Sequence, residues 1–256
     1  MGLGAFTRNA PKGVTSLARP HIVVIRHAEP EGSGAIGDAL RARGIDERLV
    51  RIDAGERVPQ GLDGARGLVV MGGPMGVYEI EGFPHLRDEM RLIERAVSDG
   101  VPVLGVCLGS QLVAAVLGAA VTRAAKPEIG WREVRLLADA QADALFAGCP
   151  SSFVPLHWHG DVFALPRGAA ALASSEQTPH QAFRFGASTW GLLFHMEMGR
   201  PQVEAMAATF EQDLARAGLR AEDVVGPAAA RIAALEPIAS RVFGTWADRI
   251  EERGGA

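Results

Sequence analysis

A chain of 256 residues, 48% hydrophobic and 22% charged, has the composition of a soluble globular protein of one large domain rather than of a disordered one. Its formal net charge of -4 gives no general basis for binding nucleic acid or acidic membranes, and no apolar run approaches the length of a membrane span. Residues 1–20 carry Arg8, Lys12 and Arg19 without an apolar stretch, so they read as a flexible tail and not as a secretory leader. Two cysteines, Cys107 and Cys149, allow one bridge at most, and the expectation is a cytoplasmic protein with free thiols.

From residue 21 onward, short β-like runs alternate with helical patterns. His21 to Arg26 is an apolar run of the kind expected for a buried parallel strand. Residues 34–44 read as a helix ending at Gly44, and 48–52 as a second strand. A third strand, 67–71, runs into the turn Gly72-Gly73-Pro74. Between His85 and Asp99, Leu86, Met90, Ile93 and Val97 fall at helical spacing, with Gly100 placed for a C-cap. Residues 101–106 form the next strand and 108–117 the next helix. Further strands are expected at 131–137, 151–156, 169–173 and 190–195. From Pro201 the chain reads as helices, with one stripe at Val203, Met206, Phe210 and Leu214 and another at Ile232, Leu235, Ile238, Val242, Trp246 and Ile250. Pro237 starts or kinks one of them. The β-α-β-α-β order predicts an α/β fold: an open, mostly parallel sheet with helices on both faces and extra C-terminal helices. With no repeat or linker, residues 21–256 are expected to form a single domain.

The segment Gly105-Val106-Cys107-Leu108-Gly109-Ser110-Gln111 sits where a predicted strand meets a predicted helix. Gly-x-Cys-x-Gly is the thiol version of the nucleophile elbow, a strained turn that holds a side chain clear of the sheet. The helix that follows points its positive end at the sulfur, which is expected to favour thiolate over thiol. The bland alternative is a small buried hydrophobe, which is what most free cysteines are. Cys149, in Ala-Gly-Cys-Pro, lacks that context and reads as an incidental turn residue.

A thiolate catalyst needs a base and a group that orients it. His195 and Glu197 follow the apolar run from Trp190 to Phe194. Residues two apart in an extended segment point the same way, so the carboxylate can hold one ring nitrogen and leave the other for Cys107. Alone, such a pair is more often a solvated loop; joined to the elbow it reads as a triad.

These residues resemble the class I (triad) glutamine amidotransferase family. Gly-Val-Cys-Leu-Gly-Ser-Gln looks like its nucleophile motif, and Phe194-His195-Met196-Glu197 like its His-Pro-Glu, with methionine in place of proline. Met71 to Pro74 is similar to its oxyanion loop. Trp158-His159-Gly160-Asp161 is similar to the His-Gly-Asp segment of the amidotransferase domain of GMP synthetase, and the whole pattern resembles a stand-alone amidotransferase-like group that includes γ-glutamyl peptidases. The resemblance implies a flavodoxin-like class I fold. It also implies attack by Cys107 on the γ-amide of glutamine or of a γ-glutamyl conjugate, with His195 and Glu197 completing the triad and backbone N–H groups of Gly73 and Leu108 forming the oxyanion hole. It makes Gly72, Gln111, His157, Trp158, His159, Gly160 and Asp161 candidates for gripping the substrate.

No phosphate loop is apparent, so no ATP site is expected. The cluster Gly32-x-Gly34-x-x-Gly37 is a poor match to a dinucleotide fingerprint. His157 and His159 lack a third ligand at metal-site spacing, so no metal and no cofactor are expected. Three functions stay open: a free-standing hydrolase of a small-molecule γ-glutamyl substrate, a glutaminase subunit feeding ammonia to a synthase partner chain, and a non-catalytic binding protein on the same fold.

Overall fold

The computed structural model describes residues 19–252; the expected tail over residues 1–20 lies outside the described residues except for Arg19 and Pro20. Strand β1 (His21–Arg26) shows why the sheet forms. Ile22 and Val24 enter one core cluster, whereas Val23 and Ile25 enter the other, so each face of the strand is buried. A strand covered on both faces has to be apolar at every position.

Helix α1 (Gly34–Arg41), strand β2 (Asp46–Arg51), strand β3 (Leu68–Val70), helix α2 (His85–Ser98), strand β4 (Val103–Val106) and helix α3 (Leu108–Val116) follow in the expected order. The later strands are β5 (Val121–Trp131), β6 (Val134–Leu136), β7 (Ser152–Phe153), β8 (Leu156–Phe163), β9 (Ala170–Ser174), β10 (Ala182–Phe185) and β11 (Thr189–Leu192). Helices α4 (Arg200–Thr209), α5 (Glu211–Arg216), α6 (Ala221–Val225) and α7 (Ala228–Glu252) end the described chain.

The main sheet runs β2-β1-β3-β4-β11-β10-β9-β6-β7. Its first five strands pair in parallel, and the rest extend it antiparallel. Helices α1 and α7 share one face, with Ile36, Leu40, Val242, Trp246 and Ile250 packed on Ile22, Val24 and Leu104. Helices α2 and α3 cover the other with Leu86, Ile93, Leu112 and Val113. Helix α7 runs through Pro237, which lies on its exposed face.

The strand expected at 131–137 is β6, and that at 151–156 is β7 with the first residue of β8; β10, most of β5 and most of β8 were not anticipated. Strands β5 and β8 form a separate two-stranded antiparallel ribbon beside the main sheet, and the outer half of β5 is mostly exposed. A strand with no apolar run gives no strand signal in the sequence.

Candidate active site

The parallel pairing of β4 with β11 brings the predicted nucleophile and base together. Val106 pairs with Leu192, so the two strands end side by side, and the Cys107 N–H donates to the Leu192 carbonyl at 2.8 Å. Both chains therefore leave the sheet at the same carboxyl edge, where ligands of open α/β sheets bind.

Cys107 turns the chain from β4 into α3 with φ 51° and ψ −111°, and it is one of only two non-glycine residues with positive φ among the described residues. Such a backbone is unfavourable by about 1–3 kcal/mol and persists only where its surroundings impose it. The flanking glycines supply that setting. A Cβ on Gly105 would lie 2.5 Å from the Gly109 carbonyl oxygen, and one on Gly109 would lie 1.9 Å from that of Val70. Helix α3 can start directly against β3 and β4 only because both side chains are missing.

His195 follows β11 and is fixed at its backbone by two hydrogen bonds with Leu156, at 2.8 and 3.1 Å. Its Nδ1 lies 2.7 Å from Glu197 Oε1, while Glu197 Oε2 accepts the Met196 N–H at 3.0 Å. Both side chains are almost wholly buried. Because the carboxylate only accepts, Nδ1 carries a proton, and Nε2 is left for the Cys107 sulfur. The Cys107 thiol points at the Trp158 carbonyl at 3.6 Å.

The electrostatics correct one expectation. Burial pushes the Cys107 thiol above its ordinary pKa, and the hydrogen bond and charge of His195 only partly oppose it. The helix N-terminus and the imidazole were expected to lower it; desolvation of a cysteine only 5% exposed outweighs them. Burial likewise pulls His195 down, but the charge of Glu197 and hydrogen bonds to Cys107 and Glu197 overcome it, leaving His195 well above the usual histidine range.

Cys107 opens into a cavity of about 580 Å³. Of the candidate binding residues, Gly73, Gln111, Trp158, His159, Gly160 and Asp161 lie on its wall. Gln111 Nε2 donates to the Asp161 carbonyl at 3.1 Å, which ties α3 to the β5–β8 ribbon. His157 and Gly72 are not on the wall. His157 is fully buried against Phe194 and His159, and burial, aided by the charge of His195, lowers its pKa to about 3. It is turned inward, where its ring packs on Phe194. The Gly72 carbonyl is taken by His27 Nδ1 at 2.9 Å.

Sequence reading missed Glu31, Tyr78, Arg123, Met206 and Phe210, which also line the cavity. In the glycine cluster at 32–37, which the sequence made a poor match to a dinucleotide fingerprint, Gly34 at φ +45° lets the start of α1 meet the segment carrying Glu197, where the Ala35 N–H donates to the Glu197 carbonyl at 2.9 Å. Two groups, His27 with His85 and Glu89, and Glu128 with His157 and His159, bring ligand atoms within 4.8 Å of one another and could hold a metal ion. The sequence offered the His157–His159 pair without a third ligand; Glu128, and in the other group His27, come from distant parts of the chain.

Glu31 is 2% exposed, with Oε2 unpartnered, and that oxygen would clash at 1.7 Å with a Cβ on Gly72. Burial, with some help from Glu197 and against His195 and His27, raises its pKa to about 7. A carboxyl whose folded pKa lies above its unfolded value of 4.5 contributes stability that is present below pH 4.5 and lost as pH rises through 7. We therefore expect Glu31→Gln to narrow the difference in unfolding free energy between pH 5 and pH 8 by up to about 3 kcal/mol, read by urea denaturation. An unchanged difference would show that Glu31 ionises freely.

A family model, glutamine amidotransferase class-I, matches residues 33–210, spanning Cys107, His195 and Glu197. The chain belongs to that family. As an amidotransferase-family protein it is similar to the glutamine amidotransferase-like protein YfeJ of Salmonella typhimurium, with 36% identity over 202 residues, 78% of this chain and 84% of that one. It is also 33% identical over 144 residues to the GMP synthase of Porphyromonas gingivalis, but the match spans only 27% of that enzyme and 56% of this chain. Among solved structures, a glutamine amidotransferase from Thermotoga maritima superposes with a TM-score of 0.81 at 30% identity, covering 91% of this chain and 99% of that one. A glutamine amidotransferase from Methylobacillus flagellatus gives the same score at 28% identity, covering 90% and 95%.

Proposed function

We propose that the chain hydrolyses the γ-amide bond of glutamine or of a γ-glutamyl conjugate through a thioester on Cys107. The observation that carries this reading is the convergence, on one sheet edge, of a positive-φ cysteine at a helix start with a buried His195–Glu197 pair 2.7 Å apart. Cys107 Sγ attacks the carbonyl carbon of the γ-amide while its proton passes to His195 Nε2. The carbonyl oxygen becomes an oxyanion, held by the N–H groups of Gly73 and Leu108. As the tetrahedral intermediate collapses, the C–N bond breaks and His195 returns the proton to the leaving amine. Water then attacks the thioester, His195 takes its proton, and glutamate leaves as the thiol is restored.

The cavity supports the substrate class. Its wall carries Glu79, Asp161 and Asp213 together with Arg123 and Arg216, charges of both signs suited to the α-ammonium and α-carboxylate of a γ-glutamyl group. At about 580 Å³ it has room for a leaving group beyond a single amino acid. Part of its wall, Met206, Phe210, Asp213 and Arg216, comes from α4 and α5, so this chain itself supplies a surface for the amine side. That favours a self-sufficient hydrolase. The alternative, a glutaminase subunit that delivers ammonia to a synthase chain, is favoured by the GMP synthases, of which the matched part is about a quarter.

We expect the purified chain alone to release ammonia or amine from glutamine, γ-glutamyl dipeptides or γ-glutamyl polyamines above a no-enzyme control. Inactivity on all of them, with recovery from native extract of a partner that switches glutaminase activity on, would overturn the hydrolase reading in favour of the subunit.

A further inference from the structure

We propose that His27 and Glu89 are positioning residues: a second histidine–carboxylate pair, behind the cavity wall, that locks the Gly72–Gly73 peptide with its N–H turned toward Cys107. The inference rests on the reading of Gly73 as an oxyanion donor.

A peptide between two glycines has no side chain to fix its orientation, and glycine tolerates the backbone angles on either side of a flip. An oxyanion hole built on it needs an external lock, because donors stabilise the transition state only if they already point at it. The lock is visible on the other edge of the same peptide. His27 Nδ1 lies 2.9 Å from the Gly72 carbonyl oxygen. That oxygen can only accept, so Nδ1 carries the proton, and the imidazole holds the carbonyl. Peptides in the described chain are trans, so the Gly72 C=O and the Gly73 N–H point in opposite directions. With the carbonyl tied to His27, the N–H faces away from it. His27 also packs under the next residue, since a Cβ on Gly73 would lie 2.7 Å from His27 Cβ and 2.9 Å from Leu108 Cδ2. The Leu108 side chain is thus also a close neighbour of the Gly73 backbone.

Glu89 fixes the ring in turn. His27 Nε2 lies 2.8 Å from Glu89 Oε2, and His85 Nδ1 lies 2.8 Å from Glu89 Oε1. The His27 and Glu89 side chains are fully buried. Glu89 stands among Leu86, Leu92, Ile93 and Ala96 on the buried stripe of α2, where a carboxylate is costly unless paired. Both ring nitrogens face oxygens that only accept, the Gly72 carbonyl and the Glu89 carboxylate, so the ring donates at each and is an imidazolium paired with a carboxylate. A cationic donor on the carbonyl polarises the peptide and strengthens its N–H as a donor.

The test uses His27→Leu, which removes the donor, and His27→Asn, whose side-chain N–H can occupy the place of Nδ1. With glutamine or the best γ-glutamyl substrate, we expect His27→Leu to lower kcat about 10²–10³-fold, the effect of losing one oxyanion donor, with little change in KM. His27→Asn should regain most of that loss. Alkylation of Cys107 by iodoacetamide displaces iodide without forming an oxyanion, so its rate should stay within a few-fold of wild type in both variants. Hydrogen exchange at 72–76 should quicken in His27→Leu and stay near wild type in His27→Asn. Wild-type kcat in His27→Leu, or alkylation and hydrolysis falling together with the melting temperature in both variants, would overturn the inference. Should the wild type hydrolyse none of these compounds, the hydrolase reading fails by itself. The exchange measurement then decides the lock: unchanged exchange at 72–76 in His27→Leu overturns it.

Discussion

Replacing Cys107 by Ser is expected to lower kcat for γ-glutamyl hydrolysis by about 10³-fold or more while leaving the fold intact, because members of a triad act as one unit. The position is built around one atom. The elbow at φ 51° aims a single side chain off the sheet edge, and the glycines at 105 and 109 leave no room for a second group to take over. A serine hydroxyl is far less acidic than a thiol, and the basicity that Glu197 and burial leave to His195 is matched to a thiol proton. Circular dichroism and melting should match wild type, since Ser is close in size and inherits the same backbone. Cys149→Ser is the control. That thiol lies away from the cavity and is not on its wall, so its activity should be unchanged. Near-wild-type turnover in Cys107→Ser, or a large loss in Cys149→Ser, would assign the chemistry elsewhere.

His195→Ala should be as damaging as Cys107→Ser, and the double variant no worse than either single one, since a unit can be broken only once. Glu197→Gln should cost about 10²–10⁴-fold through a different route. Glu197 serves two donors, His195 Nδ1–H at 2.7 Å and the Met196 N–H at 3.0 Å, and an amide can accept from only one of them with its oxygen. Either the ring loses its orienting partner or a buried N–H is set against an NH₂. The charge that holds His195 well above the usual range is lost as well. Steady-state kinetics on all three variants, at matched folded protein, would check this. Additive losses in the double variant would show that Cys107 and His195 act independently.

Much of this was legible in the sequence for identifiable reasons. The buried parallel strands, β1 above all, announce themselves as apolar runs because both faces are covered, and α2 as a stripe because one face is. The elbow was legible because its chemistry needs five consecutive residues. The parallel neighbour β11 was anticipated as a strand, but its register with β4, which delivers His195 to Cys107, is a property of the sheet and not of any local segment. The ribbon of β5 and β8 was half hidden, because exposed strands carry polar residues. His157 was assigned to the cavity since it adjoins Trp158 and His159; its ring instead packs on Phe194 in the interior. Glu31, His27 and Glu89 left no trace that local reading can use. Glu31 and His27 meet Gly72, and Glu89 meets His27, from 41 or more residues away and only across the carboxyl edge of the sheet.

The most direct test is to capture the intermediate. Wild-type enzyme mixed with substrate, quenched in acid within a turnover and digested should show the peptide containing Cys107 heavier by one γ-glutamyl group, labile to hydroxylamine, with no such adduct on Cys149. Under the same conditions Cys107→Ala should form none and hydrolyse nothing. Turnover that proceeds in Cys107→Ala, or a γ-glutamyl group found on another residue, would contradict the account.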